Sequence, residues 1–167
     1  KCESKKSHHP IEKGIFFSVI ILDDGDDGFG FSLRALYDQR FPEGRYEVLV
    51  VSRRRVSDLH TMIEHSGLSH EQQNRTRCFL VQSDEYMSQS VLRAIKDSRG
   101  VYICFTRSGY RVSNRWLEYF FLAYKQTPDL AGVGGYANQM SGKDESRLNE
   151  FDYTEIGRQL GTIRNRD

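Results

Sequence analysis

The sequence predicts an α/β sandwich built around a mainly parallel central sheet with helices on both faces. Ile15–Leu22 (IFFSVIIL) and Tyr46–Val51 (YEVLVV) are unbroken apolar runs rich in β-branched residues, the mark of strands covered on both faces. Segments whose apolar residues recur at helical spacing alternate with such runs. The connections between them are short, which favours alternating βα units over separate layers of strands and helices.

The elements follow in order. After the first strand, the turn Asp23-Asp24-Gly25-Asp26-Asp27-Gly28 leads into a helix with Leu33, Leu36, Tyr37 and Arg40 on one side, stopped by Phe41-Pro42-Glu43-Gly44. The second strand, Tyr46–Val51, precedes a helix carrying Leu59, Met62 and Ile63, with Ser57 or Asp58 as its expected cap and Gly67 as its end. Arg77–Val81 reads as a third strand, and Met87, Val91, Ala94 and Ile95 as a helical stripe. Val101–Phe105 is the fourth strand, and Leu117, Phe120, Phe121 and Tyr124 define an amphipathic helix closed by Thr127-Pro128. Leu130–Tyr136 (LAGVGGY) is an expected fifth strand, its glycines suited to close backbone approach. The chain then turns polar, with a weak helical pattern over Phe151–Leu160.

The 167 residues, 38% hydrophobic and 28% charged, fit one globular domain with a core of its own. A formal charge of +1 offers no extended basic face for nucleic acid. No run of about 18 apolar residues is present to span a membrane. KCESKKSHHP lacks the apolar stretch of a signal peptide and reads as a flexible lead-in. Lys1 in place of an initiator methionine suggests a fragment. Cys2, Cys78 and Cys104 make no disulfide framework, and the apolar surroundings of Cys78 and Cys104 predict buried free thiols in a reducing compartment. Cys2 with His8 and His9 lacks a second pair at zinc-site spacing. The acidic turn lacks EF-hand spacing. The helical spacing of Trp116, Tyr119 and Phe120 favours core packing over a sugar-stacking platform.

Taken together, these segments resemble the amino-terminal half of family-2 glycosyltransferases, which have the GT-A fold. Ser18–Ile21 is similar to the family's opening strand, and Leu33–Gln39 with Phe41-Pro42 to its first helix and exit. Tyr46–Val51 is similar to the second strand, including its Glu. Ala94-Ile95 and Ser98-Arg99-Gly100 stand where the family has Gly-Ile and Ala-Arg-Gly. Arg111-Val112 and Arg115–Glu118 resemble the stretch after the family's Asp-x-Asp, and Gly132–Gly135 its glycine strand. The ordered set covers residues 15–137. The resemblance implies a GT-A-like Rossmann-type sandwich over 15–137, a lead-in at 1–14, and a polar segment at 138–167 that is an incomplete second half.

The departures fall at the chemistry. Within Gly100–Glu118, the positions of the metal-holding Asp-x-Asp are Arg107 and Gly109. The second strand ends in Ser52-Arg53-Arg54-Arg55, where the family has an Asp-Asp-Gly-Ser-like turn whose acid contacts the nucleotide. The opening strand runs into Leu22-Asp23-Asp24-Gly25 in place of Pro-Thr-Tyr-Asn. Glu150, Asp152 and Glu155 are acids without a motif to mark a general base. An Arg about 5 Å from a dication costs on the order of 6 kcal/mol at an effective dielectric near 20, so the family's divalent metal is not expected here, nor is any other cofactor.

The candidate nucleotide- or phosphate-binding residues are Asp24, Ser52, Arg53, Arg107 and Gly109. Arg53 and Arg107 are expected at the ends of neighbouring strands, on the carboxyl edge where α/β sheets bind ligands. Three uses of the arginine run compete: a solvated charge run or charge balance with Asp23, Asp24, Asp26 and Asp27, an anion site with guanidinium forks for a diphosphate, or a partner surface. The expected function is a non-catalytic glycosyltransferase-like domain in the cytoplasm, a structural or interaction module beside an active glycosyltransferase or glycan-assembly partner. The alternative is a metal-independent transferase that binds a sugar-nucleotide through Arg53 and Arg107.

Overall fold

The computed structural model describes residues 14–127 and 132–134. The segments 1–13 and 138–167, with the candidate ligands Cys2, His8 and His9 and the acids from Glu150 onward, lie outside the described residues. Of the expected fifth strand only Gly132, Val133 and Gly134 are described, and none of these is in a strand.

The described chain forms β1 (Phe17–Asp23), α1 (Phe29–Tyr37), a 3-10 turn (Glu43–Arg45), β2 (Tyr46–Ser52), α2 (Val56–His65), α3 (His70–Arg75), β3 (Thr76–Leu80), α4 (Met87–Lys96), β4 (Tyr102–Arg107) and α5 (Trp116–Gln126). The four strands form one sheet in the order β3-β2-β1-β4, and every pairing is parallel. Ile20 stands opposite Leu49 on one side and Phe105 on the other. β1 and β2 are covered on both faces, as their continuous apolar runs require. Val19 and Ile21 of β1, Val48 and Val50 of β2 and Cys104 of β4 meet Leu33 and Leu36 of α1, Leu59 of α2 and Leu117 of α5 in the larger core. Ile20, Leu49 and Val51 meet Ala94 of α4, with Val91 and Ile95 beside it, on the other face.

Several expectations change in detail. Arg55, without a side-chain cap bond, stands at the N-cap of α2, so Ser57 and Asp58 fall inside the first turn. α3 has no apolar stripe and is held instead by a capping box: Gln72 N donates to Ser69 Oγ at 3.2 Å, and Ser69 N to Gln72 Oε1 at 3.0 Å. Cys104 is buried, and burial pushes its thiol up to about 12. Cys78 is exposed, contrary to expectation, because β3 pairs only with β2 and ends the sheet. Trp116 and Phe120 pack on the larger core with ring centroids 4.8 Å apart. Tyr102 of β4 and Tyr124 of α5 stack at 3.9 Å.

One polar cluster ties the amino ends of the strands. The buried Glu47 carboxylate accepts from Ser18 Oγ at 2.7 Å, Arg99 N at 2.6 Å, Arg99 Nε at 2.9 Å and Arg77 at 3.2 Å. Gly100 N donates to Ser18 Oγ at 2.8 Å. A Cβ on Gly100 would lie 2.4 Å from Ser18 N, so the approach requires glycine. Desolvation pushes the Glu47 carboxyl upward, but the bonds from Arg99 N–H, the Ser18 hydroxyl and the Arg99 guanidinium outweigh it and hold the group below its ordinary 4.5.

Glu47→Gln should cost about 2 kcal/mol in urea unfolding at pH 7, because a buried carboxylate loses its charge-assisted bonds to the partly exposed Arg99 and Arg77. Because the folded carboxyl titrates below the unfolded one, that advantage of wild type is complete above the ordinary glutamate range and fades as the pH falls through the lowered folded value. A penalty that stayed constant down to pH 2 would contradict the assignment. Tyr46 Oη is buried without a hydrogen-bond partner among the described residues, whereas Tyr37 Oη meets Thr76 Oγ1 at 2.9 Å. Tyr46→Phe should therefore hold or raise stability, and Tyr37→Phe should lose about 1 kcal/mol, read as shifts in unfolding midpoint.

Candidate functional site

Open α/β sheets bind ligands beyond the carboxyl ends of their strands, where the strand order reverses. With β2 and β3 on one side of β1 and β4 on the other, that point is the crevice between β1 and β4. The register puts Asp23 opposite Ser52 and Leu22 opposite Arg107. The loop 24–28 thus emerges between the end of β2 and the end of β4.

Asp23 is fully buried and is the anchor of this edge. Its Oδ2 accepts from Ser52 Oγ at 2.6 Å and Arg54 Nε at 2.8 Å, and its Oδ1 from Gly25 N at 3.0 Å. Arg54 N donates to Ser52 Oγ at 3.0 Å, and the Arg54 guanidinium also reaches the Asp26 carbonyl. A carboxylate without water needs this degree of pairing. Ser52, a candidate nucleotide contact, is itself buried and turned to Asp23.

The loop then closes on β4. Asp26 Oδ1 accepts from Gly28 N at 2.8 Å and Asp26 Oδ2 from Ser108 Oγ at 2.6 Å. Ser108 N donates to Leu22 O at 2.8 Å, continuing the β1–β4 ladder. Gly109, another candidate, has φ +79° and backs onto Gly28 so closely that a Cβ on Gly28 would lie 2.6 Å from Gly109 Cα. Asp24 and Arg107 form an ion pair across the mouth, with side chains 45% and 61% exposed. The hydrogen bond to Asp24 and its negative charge raise the Arg107 guanidinium further above its ordinary value.

The structure brings Asp24, Arg107 and Gly109 to one crevice and turns Ser52 away from it. Arg53 and Arg107 do not lie on neighbouring strand ends. β1 intervenes, and two strand spacings separate their backbones by roughly 10 Å. Arg53 is exposed and makes no hydrogen bond or ion pair with the described residues. The arginine that turns inward is Arg54. The signal for it was Asp23 itself, a charged residue closing a strand buried on both faces, which demands a cation or several donors. Among the described residues, no three His, Cys, Asp or Glu side chains are placed to hold a metal ion.

The same architecture occurs in solved structures of TarS from S. aureus. The TarS structure with UDP matches at a TM-score of 0.56 and 18% identity, over 76% of this chain and 39% of that one. The complex with UDP-GlcNAc matches at 0.54 and 19%, over 76% and 38%. A further TarS structure matches at 0.56 and 17%, over 67% and 20%. This chain therefore spans well under half the length of these neighbours. The likeness shows the fold: a GT-A-like α/β sandwich, as the sequence resemblance implied. No protein-family model and no curated protein matches the sequence.

Removing the anchor should be far more damaging than removing the pair at the mouth. Asp23→Ala should lose about 3 kcal/mol of unfolding free energy and Ser52→Ala about 1 kcal/mol. Asp24→Ala should leave the melting midpoint in place, because exposed ion pairs contribute little. Equal losses for Asp23→Ala and Asp24→Ala would show that the edge is not built on Asp23.

Proposed function

We propose that this chain is a glycosyltransferase-like domain that does not catalyse sugar transfer and serves as a structural or interaction module in glycan assembly. The observation that carries the reading is the internal pairing at the β1–β4 crevice: Asp23 with Ser52 and Arg54, Asp24 with Arg107, and Asp26 with Ser108. A dication on a diphosphate needs converging carboxylates. Here the exposed carboxylate at the mouth already faces a guanidinium, whose charge opposes a dication. The donor set does not fit the metal that the resemblance implies, and no step of the reading passes through one. Its partners would be an active glycosyltransferase or a glycan-assembly protein. A cytoplasmic site belongs to the same proposal, supported by the free thiols of Cys78 and Cys104.

A second reading keeps a sugar-nucleotide as ligand and is favoured by the exposed Arg53, unpaired among the described residues, and the exposed position of Arg107. Guanidinium groups bind a diphosphate in fork geometry without a metal, which would make the domain a metal-independent transferase. TarS structures hold UDP and UDP-GlcNAc, so this ligand class is the one to test.

Isothermal titration with UDP- and GDP-linked sugars, with and without manganese, separates the readings. The expected result is no manganese-dependent binding and no transfer. Micromolar binding that requires manganese would overturn the proposal. Binding that survives chelator and weakens at least about tenfold in Arg107→Ala would move the assignment to the second reading.

A further inference from the structure

We propose that the β1–β4 crevice is a metal-free diphosphate site that carries its own competing anion, with Asp24 on Arg107 and Asp26 on Ser108. The inference rests on the sugar-nucleotide reading and adds to it what controls the site. Four donors at its rim are taken by carboxylates of Asp23 and of the loop that follows β1. Arg107 faces Asp24, Ser108 Oγ donates to Asp26 Oδ2 at 2.6 Å, Gly28 N donates to Asp26 Oδ1 at 2.8 Å, and Gly25 N donates to Asp23 at 3.0 Å.

The loop's contacts differ in how readily they exchange. Asp23 is buried and saturated, so the base of the loop stays in place. Asp24 and Asp26 are exposed. Their bonds face competition from water and salt, and an exposed ion pair adds little stability. A diphosphate carries more negative charge than Asp24 and offers paired oxygens to a guanidinium. Arg107 can therefore pass from Asp24 to the ligand, with the exposed Arg53 across β1 as a second cation. The released Asp24 carboxylate stays beside the bound anion and repels it. Its charge thus sets the affinity of the site.

The experiment compares wild type, Asp24→Asn and Asp24→Asn/Arg107→Ala by titration with pyrophosphate and with UDP, all in chelator. Both substitutions lie at exposed positions, and a thermal melt of each variant with and without pyrophosphate confirms that folded protein is being compared. Asp24→Asn should bind both anions about tenfold more tightly than wild type, the worth of one charge-assisted contact, and the double variant should lose that gain. Tighter binding of UDP than of pyrophosphate identifies a nucleoside diphosphate as the ligand, and equal binding identifies the diphosphate alone. No gain in Asp24→Asn, a gain that survives loss of Arg107, or binding that appears only with manganese overturns the inference. The sugar-nucleotide reading fails on a different result, no binding of UDP in chelator by wild type or by either variant, whereas the inference fails when UDP binds without the gain in Asp24→Asn, so the two can be told apart.

Discussion

The carboxyl edge of this sheet is organised by one buried carboxylate. Asp23 ends the central strand without contact with water, and a charge in that position must be surrounded by donors. Ser52 supplies one from β2, Gly25 one from the loop, and Arg54 one from beyond β2. To deliver that guanidinium, the chain leaving β2 turns Arg54 back over β1. Arg53 and Arg55 on either side are exposed. Arg54 also reaches the Asp26 carbonyl, and the Asp26 carboxylate in turn accepts from Ser108. The conformation of the acidic loop and its closure on β4 thus rest on the need to satisfy Asp23.

A second buried carboxylate does the same at the other end. Glu47 gathers donors from β1, from β3 and from the lead-in to β4, while the apolar rows of β1 and β2 lie between the two clamps. A one-residue slip of β2 against β1 would turn Glu47 and Ser52 to the opposite face, taking Glu47 from Ser18 and Ser52 from Asp23. The polar ends therefore specify the register that the nearly uniform Val and Ile rows leave loosely defined. Gln39 extends the arrangement to the helices, donating to Ala35 O and Ser113 O, each at 2.8 Å, and accepting from Leu117 N at 3.2 Å. It joins the end of α1 to the start of α5.

Much of this fold is legible in the sequence because burial on two faces leaves an unambiguous signature. IFFSVIIL and YEVLVV read as central strands, and the stripes of α1, α2, α4 and α5 read as helices packed against them. α3 was not legible from periodicity, since HEQQNR has no apolar face; its signal was the Ser69-x-x-Gln72 box. The polar Thr106 and Arg107 hide the end of β4 in the sequence, yet pairing with Ile21 and Leu22 carries the strand through them. Lateral strand order has no local signature at all, so nothing near Arg53 or Arg107 in the sequence tells that β1 lies between them. The inward turn of Arg54 rather than Arg53 depends on the path from Ser52 to Asp23, a tertiary property that a run of three arginines cannot express.

The balance of charge at the crevice is what separates this edge from the one its resemblance implies. An Asp-x-Asp on β4 leaves a site negative until a dication arrives, and the metal then supplies the positive charge that a diphosphate needs. Here the acids sit on the β1 loop and the cation on β4, so the site is neutralised within the chain. In the proposed reading such an edge has no role for a dication, whose charge opposes that of Arg107. It is also not simply inert, because the Asp24–Arg107 pair lies at the surface where exchange costs little, while the Asp23 cluster that would resist rearrangement lies beneath it. Burial therefore divides the edge into a fixed floor and an exchangeable rim. An anion held by Arg107 at the proposed site would displace Asp24 and leave Asp23 where it is.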